Sequence, residues 1–132
     1  MAYSGEGCDV TFQAASDFPQ FRVVELTANP HEVDLAAANK GYGVVQNHPN
    51  SGEAATVRKD GVTKVIVGGA VSVGNYALSA ASGFATAVVS GAAFGTSQKL
   101  LGRFLTAAAS GGIATLDLEV QQFNATSGAA LA

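Results

Sequence analysis

The chain has 132 residues, a formal net charge of −3, and only 13% charged residues. This length fits one domain, and the charge balance lacks the basic excess that is typical of nucleic-acid-binding proteins. Hydrophobic residues make up 48% of the chain, and many of them are alanines, which bury little area each. We therefore expect a thin core in each subunit, with self-association adding to the buried surface.

The sequence predicts neither secretion nor membrane insertion. Cys8 is the one cysteine, which excludes an internal disulfide framework and fits a reducing compartment. The first residues lack the basic and apolar regions of a signal peptide. No apolar run reaches the roughly 18 residues that are needed to cross a bilayer. We expect a protein made in the cytoplasm of its cell, with no membrane partner.

The first third of the chain predicts short strands separated by turns. Apolar and polar residues alternate over 9–14, which is typical of a strand with one buried face. Segments 21–28 and 41–47 are also predicted strands, and the proline in NPHE (29–32) predicts a turn. The VDLAAAN segment (33–39) is compatible with a short strand or with a single helical turn.

The basic segment 53–69 predicts a hairpin, because Asp60-Gly61 stands between two valine-rich runs. A three-residue loop, 59–61, is favoured over a two-residue loop because it separates charged from apolar side chains. One face of this hairpin would carry Ala55, Val57, Thr63, Val65 and Val67, and the other Thr56, Arg58, Val62, Lys64 and Ile66.

Segments 76–80 and 84–89 predict two further strands joined by a short turn. The segment 99–110 has helical spacing of its leucines and Phe104, but its glycines favour a strand in a hairpin. Strands recur about every ten residues, and no strand–helix–strand alternation is present. The predicted fold class is mainly β: a small antiparallel sandwich or barrel-like domain with long loops and an extended N-terminal arm.

No constellation of residues predicts catalysis, a metal site or a cofactor. His31 and His48 each neighbour a proline, and neither has the spacing to Cys8 or Asp34 that metal ligation requires. Ser51 has no nucleophile-elbow sequence around it. The glycine-rich stretches lack the complete phosphate-binding patterns. We expect no enzyme activity, no metal and no cofactor.

Nucleic-acid binding is the functional alternative for the basic segment. Arg58, Lys59 and Lys64 have the charge to contact phosphates. No aromatic residue lies between them to stack on bases, however, and lysines on a hairpin also discourage edge-to-edge pairing. A solvated or neighbour-contacting hairpin face is therefore the favoured interpretation.

The order of the motifs resembles the small capsid cement, or head decoration, proteins of tailed bacteriophages. The stretches that carry the resemblance are GVVQNHPNSGEAATVRKDGVTKVIVGGAVSVGN, SAASGFATAV and LGRFLTAAASGG. The chain departs from that pattern in the longer tail after Glu119 and in the loop around His31. The resemblance implies a β-rich trimer that binds the outside of the capsid at three-fold or quasi-three-fold positions. There such proteins stabilise the shell against internal DNA pressure, and the resemblance brings no catalytic residue.

These considerations divide the chain into an N-terminal arm (1–18), a β-rich domain (19–121) and a small-residue C-terminal tail (122–132). The expected partners are the major capsid protein and further copies of the chain, with no nucleic acid. The expected location is the outer capsid surface of the virion. The predicted capsid contacts are the aromatic residues Tyr3, Phe12, Phe18 and Phe21. The predicted contacts with a subunit or neighbour are Arg58, Lys64, Tyr76 and Phe84.

Overall fold

The described part of the chain forms nine strands. The computed structural model describes residues 8–38, 40–88 and 98–123, and these contain no α-helix. One 3-10 turn, Ala81–Gly83, connects the sixth and seventh strands. The strands are β1 (Cys8–Ala14), β2 (Val23–Leu26), β3 (Glu32–Leu35), β4 (Gly43–Val45), β5 (Ala54–Ile66), β6 (Tyr76–Ser79), β7 (Ala85–Ala87), β8 (Gln98–Phe104) and β9 (Ile113–Phe123). The prediction of a mainly β, barrel-like domain is confirmed.

The first five strands close into a barrel. Their order is β1-β3-β2-β4-β5, and β5 pairs back onto β1. The β1–β3 pair is parallel and the other pairs are antiparallel. Closure gives every strand two neighbours, so the barrel has no open edge of unpaired backbone groups. The barrel core consists of Phe12, Ala14, Phe18, Val24, Val33, Val45, Ala55 and Val57.

The second half of β5 begins another layer, which we call the outer sheet. Its strand order is β5-β9-β8-β6-β7. A parallel bridge between Val67 and Ala85 brings the far strand, β7, back beside the end of β5. The outer-sheet core consists of Val23, Ala36, Val44, Val65, Val67, Val71, Ala77, Ala85, Leu101, Phe104, Ala114, Leu116 and Leu118.

Strand β4 and the first two residues of β2 are buried on both faces because they lie between the two cores. Val24 and Val45 pack inside the barrel, whereas Val23 and Val44 pack against the outer sheet. All four side chains are fully buried. A strand covered on both faces has a continuous apolar run in place of alternation, which explains the paired valines in each strand.

The predicted hairpin at 53–69 is wrong, because β5 is one continuous strand of 13 residues. Asp60 pairs with Glu119 and Gly61 with Leu118, so partners distant in sequence occupy the positions where a turn was expected. Gly61 has a φ of 107°, which glycine adopts without a steric penalty. The predicted division of side chains between two faces nevertheless holds. Val57 and Thr63 are an even number of positions apart, so they lie on the same face of the continuous strand, as they would in the predicted hairpin. Ala55, Val57, Thr63, Val65 and Val67 are all buried.

The domain begins before residue 19, so residues 8–18 are not an extended arm. Strand β1 is hydrogen-bonded to both β3 and β5 and is needed to close the barrel. Phe12 and Phe18 belong to the barrel core, and the Phe18 N–H donates to the carbonyl of Pro49. Residues 1–7 lie outside the described part of the chain. At the other end β9 extends to Phe123, two residues into the predicted tail.

The hairpin predicted from 99 onward is confirmed by the antiparallel pair β8–β9. The helical alternative is wrong, and a β-bulge explains the spacing that favoured it. The register shifts between Leu100 and Gly102. Leu101 and Phe104, three residues apart, consequently pack into the same core. Within the predicted segment 33–39, residues 33–35 belong to the short strand β3, which agrees with the first of the two alternatives. Residue 39 lies outside the described residues.

Candidate contact surface

One face of the outer sheet packs on its core and the other, which we call the outer face, is open. Along β9 the buried Ala114, Leu116 and Leu118 alternate with half-buried or exposed residues. The outer face carries Val62, Lys64 and Ile66 from β5, Ile113, Thr115, Asp117 and Glu119 from β9, Arg103 from β8 and Tyr76 from β6, with Leu105 directly after β8.

Exposed apolar side chains concentrate around the outer face. The described residues contain five strongly exposed large apolar side chains, and four belong to this region. Ile113 is 54% exposed and Leu105 is 44% exposed. Tyr76 lies beside them, and Val73 stands in the turn before β6. Only Leu26 lies on the barrel. A cluster of exposed apolar and aromatic residues is typical of a protein–protein contact surface.

A pocket of about 110 Å³ opens on the outer face. Its lining residues are Tyr76, Leu100, Gly102, Arg103, Asp117 and Glu119. Gly102 is essential to its shape, because a Cβ there would lie 1.9 Å from the carbonyl oxygen of Asp117. The φ of 146° at Gly102 belongs to the same bulge in β8. The bulge and the missing side chain together leave the floor of the pocket open.

The side chain of Arg103 lies on Tyr76 and not on Asp117. Register places Arg103 directly opposite both residues, one on each neighbouring strand. Its guanidinium carbon is 4.9 Å from the Tyr76 ring centroid, and its Nη2 donates to the carbonyl of Gly74 at 3.3 Å. Within the described residues the Asp117 carboxylate has no hydrogen bond or ion pair. The carboxylates of Asp117 and Glu119 both line the pocket and are exposed, and that of Asp117 has no partner within the described residues.

The four predicted neighbour contacts do not form one surface. Lys64 and Tyr76 lie on the outer face. Arg58 makes internal contacts: its Nε and Nη2 donate to the two carboxylate oxygens of Asp9 at 2.8 and 3.1 Å, and its Nη1 donates to the carbonyl of Val62. The hydrogen bond to Asp9 raises the pKa of Arg58 above its ordinary value. Phe84, the fourth, is half-buried beneath Arg22.

Arg22 joins the barrel to the β6–β7 turn. Its guanidinium carbon lies 4.0 Å from the centroid of the Phe84 ring, and its Nη1 donates to the carbonyl of Ser82. Burial lowers the pKa of Arg22, and the Nε has no hydrogen-bond partner within the described residues. A cation over an aromatic ring contributes about 0.5–2 kcal/mol, depending on its desolvation. Phe84 thus has a structural role in this chain.

Two of the four predicted capsid contacts are core residues. Phe18 is fully buried and Phe12 is 9% exposed. Phe21 is half-buried, with the Lys64 ammonium 6.0 Å from its ring centroid. Tyr3 lies outside the described residues. Capsid contact by these residues stays a prediction, but the structure gives Phe12 and Phe18 a different role, which is to fill the barrel.

Candidate metal and catalytic residues are dispersed. His31 and His48 are exposed in separate loops, and the Ser51 hydroxyl donates to the carbonyl of Ala15. Among residues 8–38, 40–88 and 98–123, no group of three or more His, Cys, Asp or Glu side chains is placed to hold a metal ion. The same residues include no helix that has the length and apolar character to cross a bilayer.

The sequence reasoning missed the outer face as a unit. It named Lys64 and Tyr76 but not Arg103, Leu105, Ile113 or Asp117. The alternation in IATLDLEV (113–120) was the available signal, since it places threonine and carboxylates opposite a leucine-rich face. The partners of that strand were not deducible, because β5 and β9 are about fifty residues apart in the chain.

Comparison with known proteins identifies a solved structure with a similar fold. No protein-family model and no curated protein matches the chain. Among solved structures the chain is similar to the head fiber gp8.5 N base of bacteriophage phi29, with a TM-score of 0.68 and 20% sequence identity. The match covers 86% of this chain and 95% of the other. At this identity the likeness establishes a shared fold.

Proposed function

We propose that this protein is a non-enzymatic structural component of a tailed-bacteriophage head. In this proposal it binds the outer surface of the capsid as a homotrimer at three-fold or quasi-three-fold positions. Binding buries surface across the boundaries between capsid subunits and so raises the free energy of disrupting the shell. The observation that carries the proposal is the fold shared with a phage head fiber base along most of both chains.

Two further features support this role. The sequence resembles head decoration proteins in motifs that are spread along most of the chain, which is a separate argument from the shared fold. The outer face also presents the exposed apolar side chains of Tyr76, Leu105 and Ile113, which suit a protein partner. Fold alone does not determine function, so the proposal needs a binding experiment.

A second candidate function is the base of a head fibre. The similar structure is itself described as the N base of a head fiber. In this alternative the domain is another virion binding module, such as a fibre base or a host-surface adhesin domain, and does not act mainly as a cement. Both functions place the domain on a capsid, and they differ in whether its binding stabilises the shell.

Co-sedimentation with capsids tests the proposal. Purified protein is mixed with expanded empty heads of the encoding phage that were prepared without it, and the heads are then heated. The proposal predicts saturable binding, a trimeric solution mass and a higher temperature of head disruption. Binding without a change in disruption temperature would favour the fibre base, and absence of binding would contradict both functions.

A further inference from the structure

We propose that the outer face binds the capsid through a lysine or arginine side chain of the shell protein, which enters the pocket beside Asp117. This inference rests on the proposed function and adds the chemistry of the contact. The partner surface is expected to present a basic residue flanked by apolar ones.

Asp117 supplies the charge for this contact. Its carboxylate is exposed and has no partner within the described residues, although Arg103 stands directly opposite on β8. The guanidinium of Arg103 is held on the Tyr76 ring and on the Gly74 carbonyl. A basic side chain that enters the pocket would therefore meet a carboxylate that is not already neutralised. The Arg103 guanidinium, fixed on the ring, forms one wall.

The surroundings of the pocket favour a protein over a small ion. The exposed side chains of Leu105 and Ile113 lie on the same face, and Val73 lies in the adjoining turn. Apolar residues around a charged pair exclude water when a partner covers them, which strengthens the pair. Tyrosine and arginine, which here line the pocket as Tyr76 and Arg103, are both enriched at protein interfaces.

Charge favours a basic partner over a second copy of this chain. The chain carries a net charge of −3. On the outer face the two carboxylates of Asp117 and Glu119 equal the two cations of Lys64 and Arg103 in number, and within the described residues Asp117 has no hydrogen bond or ion pair. Two copies would each bring the net negative charge of the whole chain to the contact, which opposes association. A basic surface on the shell is the better electrostatic match.

Charge variants of Asp117 test the inference. The probe is the same preparation of expanded empty heads, and the proteins are the wild type, Asp117→Asn, Asp117→Lys and Glu25→Gln. Glu25 is a matched control because it lies on the barrel strand β2 and also loses one negative charge. The amide of Glu25→Gln retains an oxygen that can accept the Ala37 N–H. Solution mass and thermal unfolding are measured for every variant to establish that each is folded.

The expected result is a graded loss of binding. Asp117→Asn should weaken binding by about tenfold and Asp117→Lys by more, since an interfacial charge pair loses its partner or becomes repulsive. Glu25→Gln should stay within about twofold of the wild type, as expected for a charge outside the contact. A compensating change of the shell residue from Lys or Arg to Glu should restore the binding of Asp117→Lys.

Three outcomes would overturn the inference. Wild-type affinity of folded Asp117→Lys would contradict the contact but leave the proposed function standing. A fall in the solution mass of Asp117→Lys would show that the outer face joins copies of this chain. Absence of binding by the wild type would contradict the proposed function and this inference together.

Discussion

The barrel and the outer sheet share strand β5 but differ in what they leave open. The barrel closes through the β1–β5 pair, and Leu26 is its only strongly exposed large apolar side chain among the described residues. The outer sheet has one buried face and one open face, where Tyr76, Leu105 and Ile113 are exposed. Closure buries the inner face of the barrel, whereas β2 and β4 cover the inner face of the outer sheet. The difference favours the outer sheet over the barrel as the candidate contact surface.

Deletion of residues 1–18 should have the largest effect, because it removes β1 and opens the barrel. Phe12 and Phe18 would also be lost from the core. We expect no cooperative thermal unfolding and no β-sheet circular dichroism signal of the native kind. Deletion of 1–7 is the control, since it leaves β1 in place. A folded 19–132 fragment would contradict the view that β1 is part of the domain.

Substitution of one core phenylalanine in each layer tests whether the layers unfold together. Phe18 in the barrel and Phe104 in the outer sheet are both fully buried. Each Phe→Ala variant should lose about 3–5 kcal/mol of unfolding free energy through lost burial and the cavity left behind. Because β5 belongs to both layers, each variant should unfold in a single transition in denaturant. Two separated transitions in the Phe104→Ala variant would show that the layers are independent.

Gly102→Ala tests the bulge that shapes the pocket. Its Cβ would overlap the Asp117 carbonyl oxygen, so β8 and β9 would have to separate. We expect a loss on the order of 3 kcal/mol, as for other substitutions that force backbone strain. Gly111→Ala is the control: it has a φ of 82°, but nothing lies within 4 Å of its Cβ. That variant should lose only about 1 kcal/mol, measured by denaturant unfolding. Equal losses would argue against the close approach at Gly102.

The smallest expected changes in unfolding free energy come from variants of two basic residues of strand β5. Arg58 binds Asp9 through two hydrogen bonds, whereas Lys64 is exposed on the outer face. Arg58→Lys should lose about 1 kcal/mol of unfolding free energy, because lysine cannot reproduce the paired geometry. Lys64→Ala should change the unfolding free energy by no more than about 0.5 kcal/mol. If Lys64→Ala proved the more destabilising variant, the division between internal and contact residues on β5 would be wrong.

Local patterns predicted the strands but not their partners. The alternation over 9–14 and the valines of β4 identified strands that the structure confirms. The Asp60-Gly61 pair is a strong local turn signal, yet the pairing of β5 with β1, β4 and β9 keeps the chain extended there. The division of β5 side chains into a buried and a more exposed face was predicted correctly despite the wrong turn, because it depends only on alternation along the strand.

The candidate surface was less predictable than the fold. Phe12 and Phe18 are aromatic residues near the start of the chain, which suggested docking. Their place in the core becomes evident only once the barrel is known to close. Within the described residues the Asp117 carboxylate has no partner, and this depends on the rotamer of Arg103 and on the bulge at Gly102, neither of which has a sequence signature. Sites built from strands distant in sequence require the topology to be known first.

Electron cryo-microscopy of heads incubated with the purified protein tests the central claim most directly. The account predicts density for the domain at regular positions on the outside of the shell. In that density the outer sheet should face the capsid, with Asp117 at the contact, and the barrel should point away. Density confined to the tail, or a regular lattice in which the barrel contacts the shell and the outer face stays open to solvent, would contradict the account.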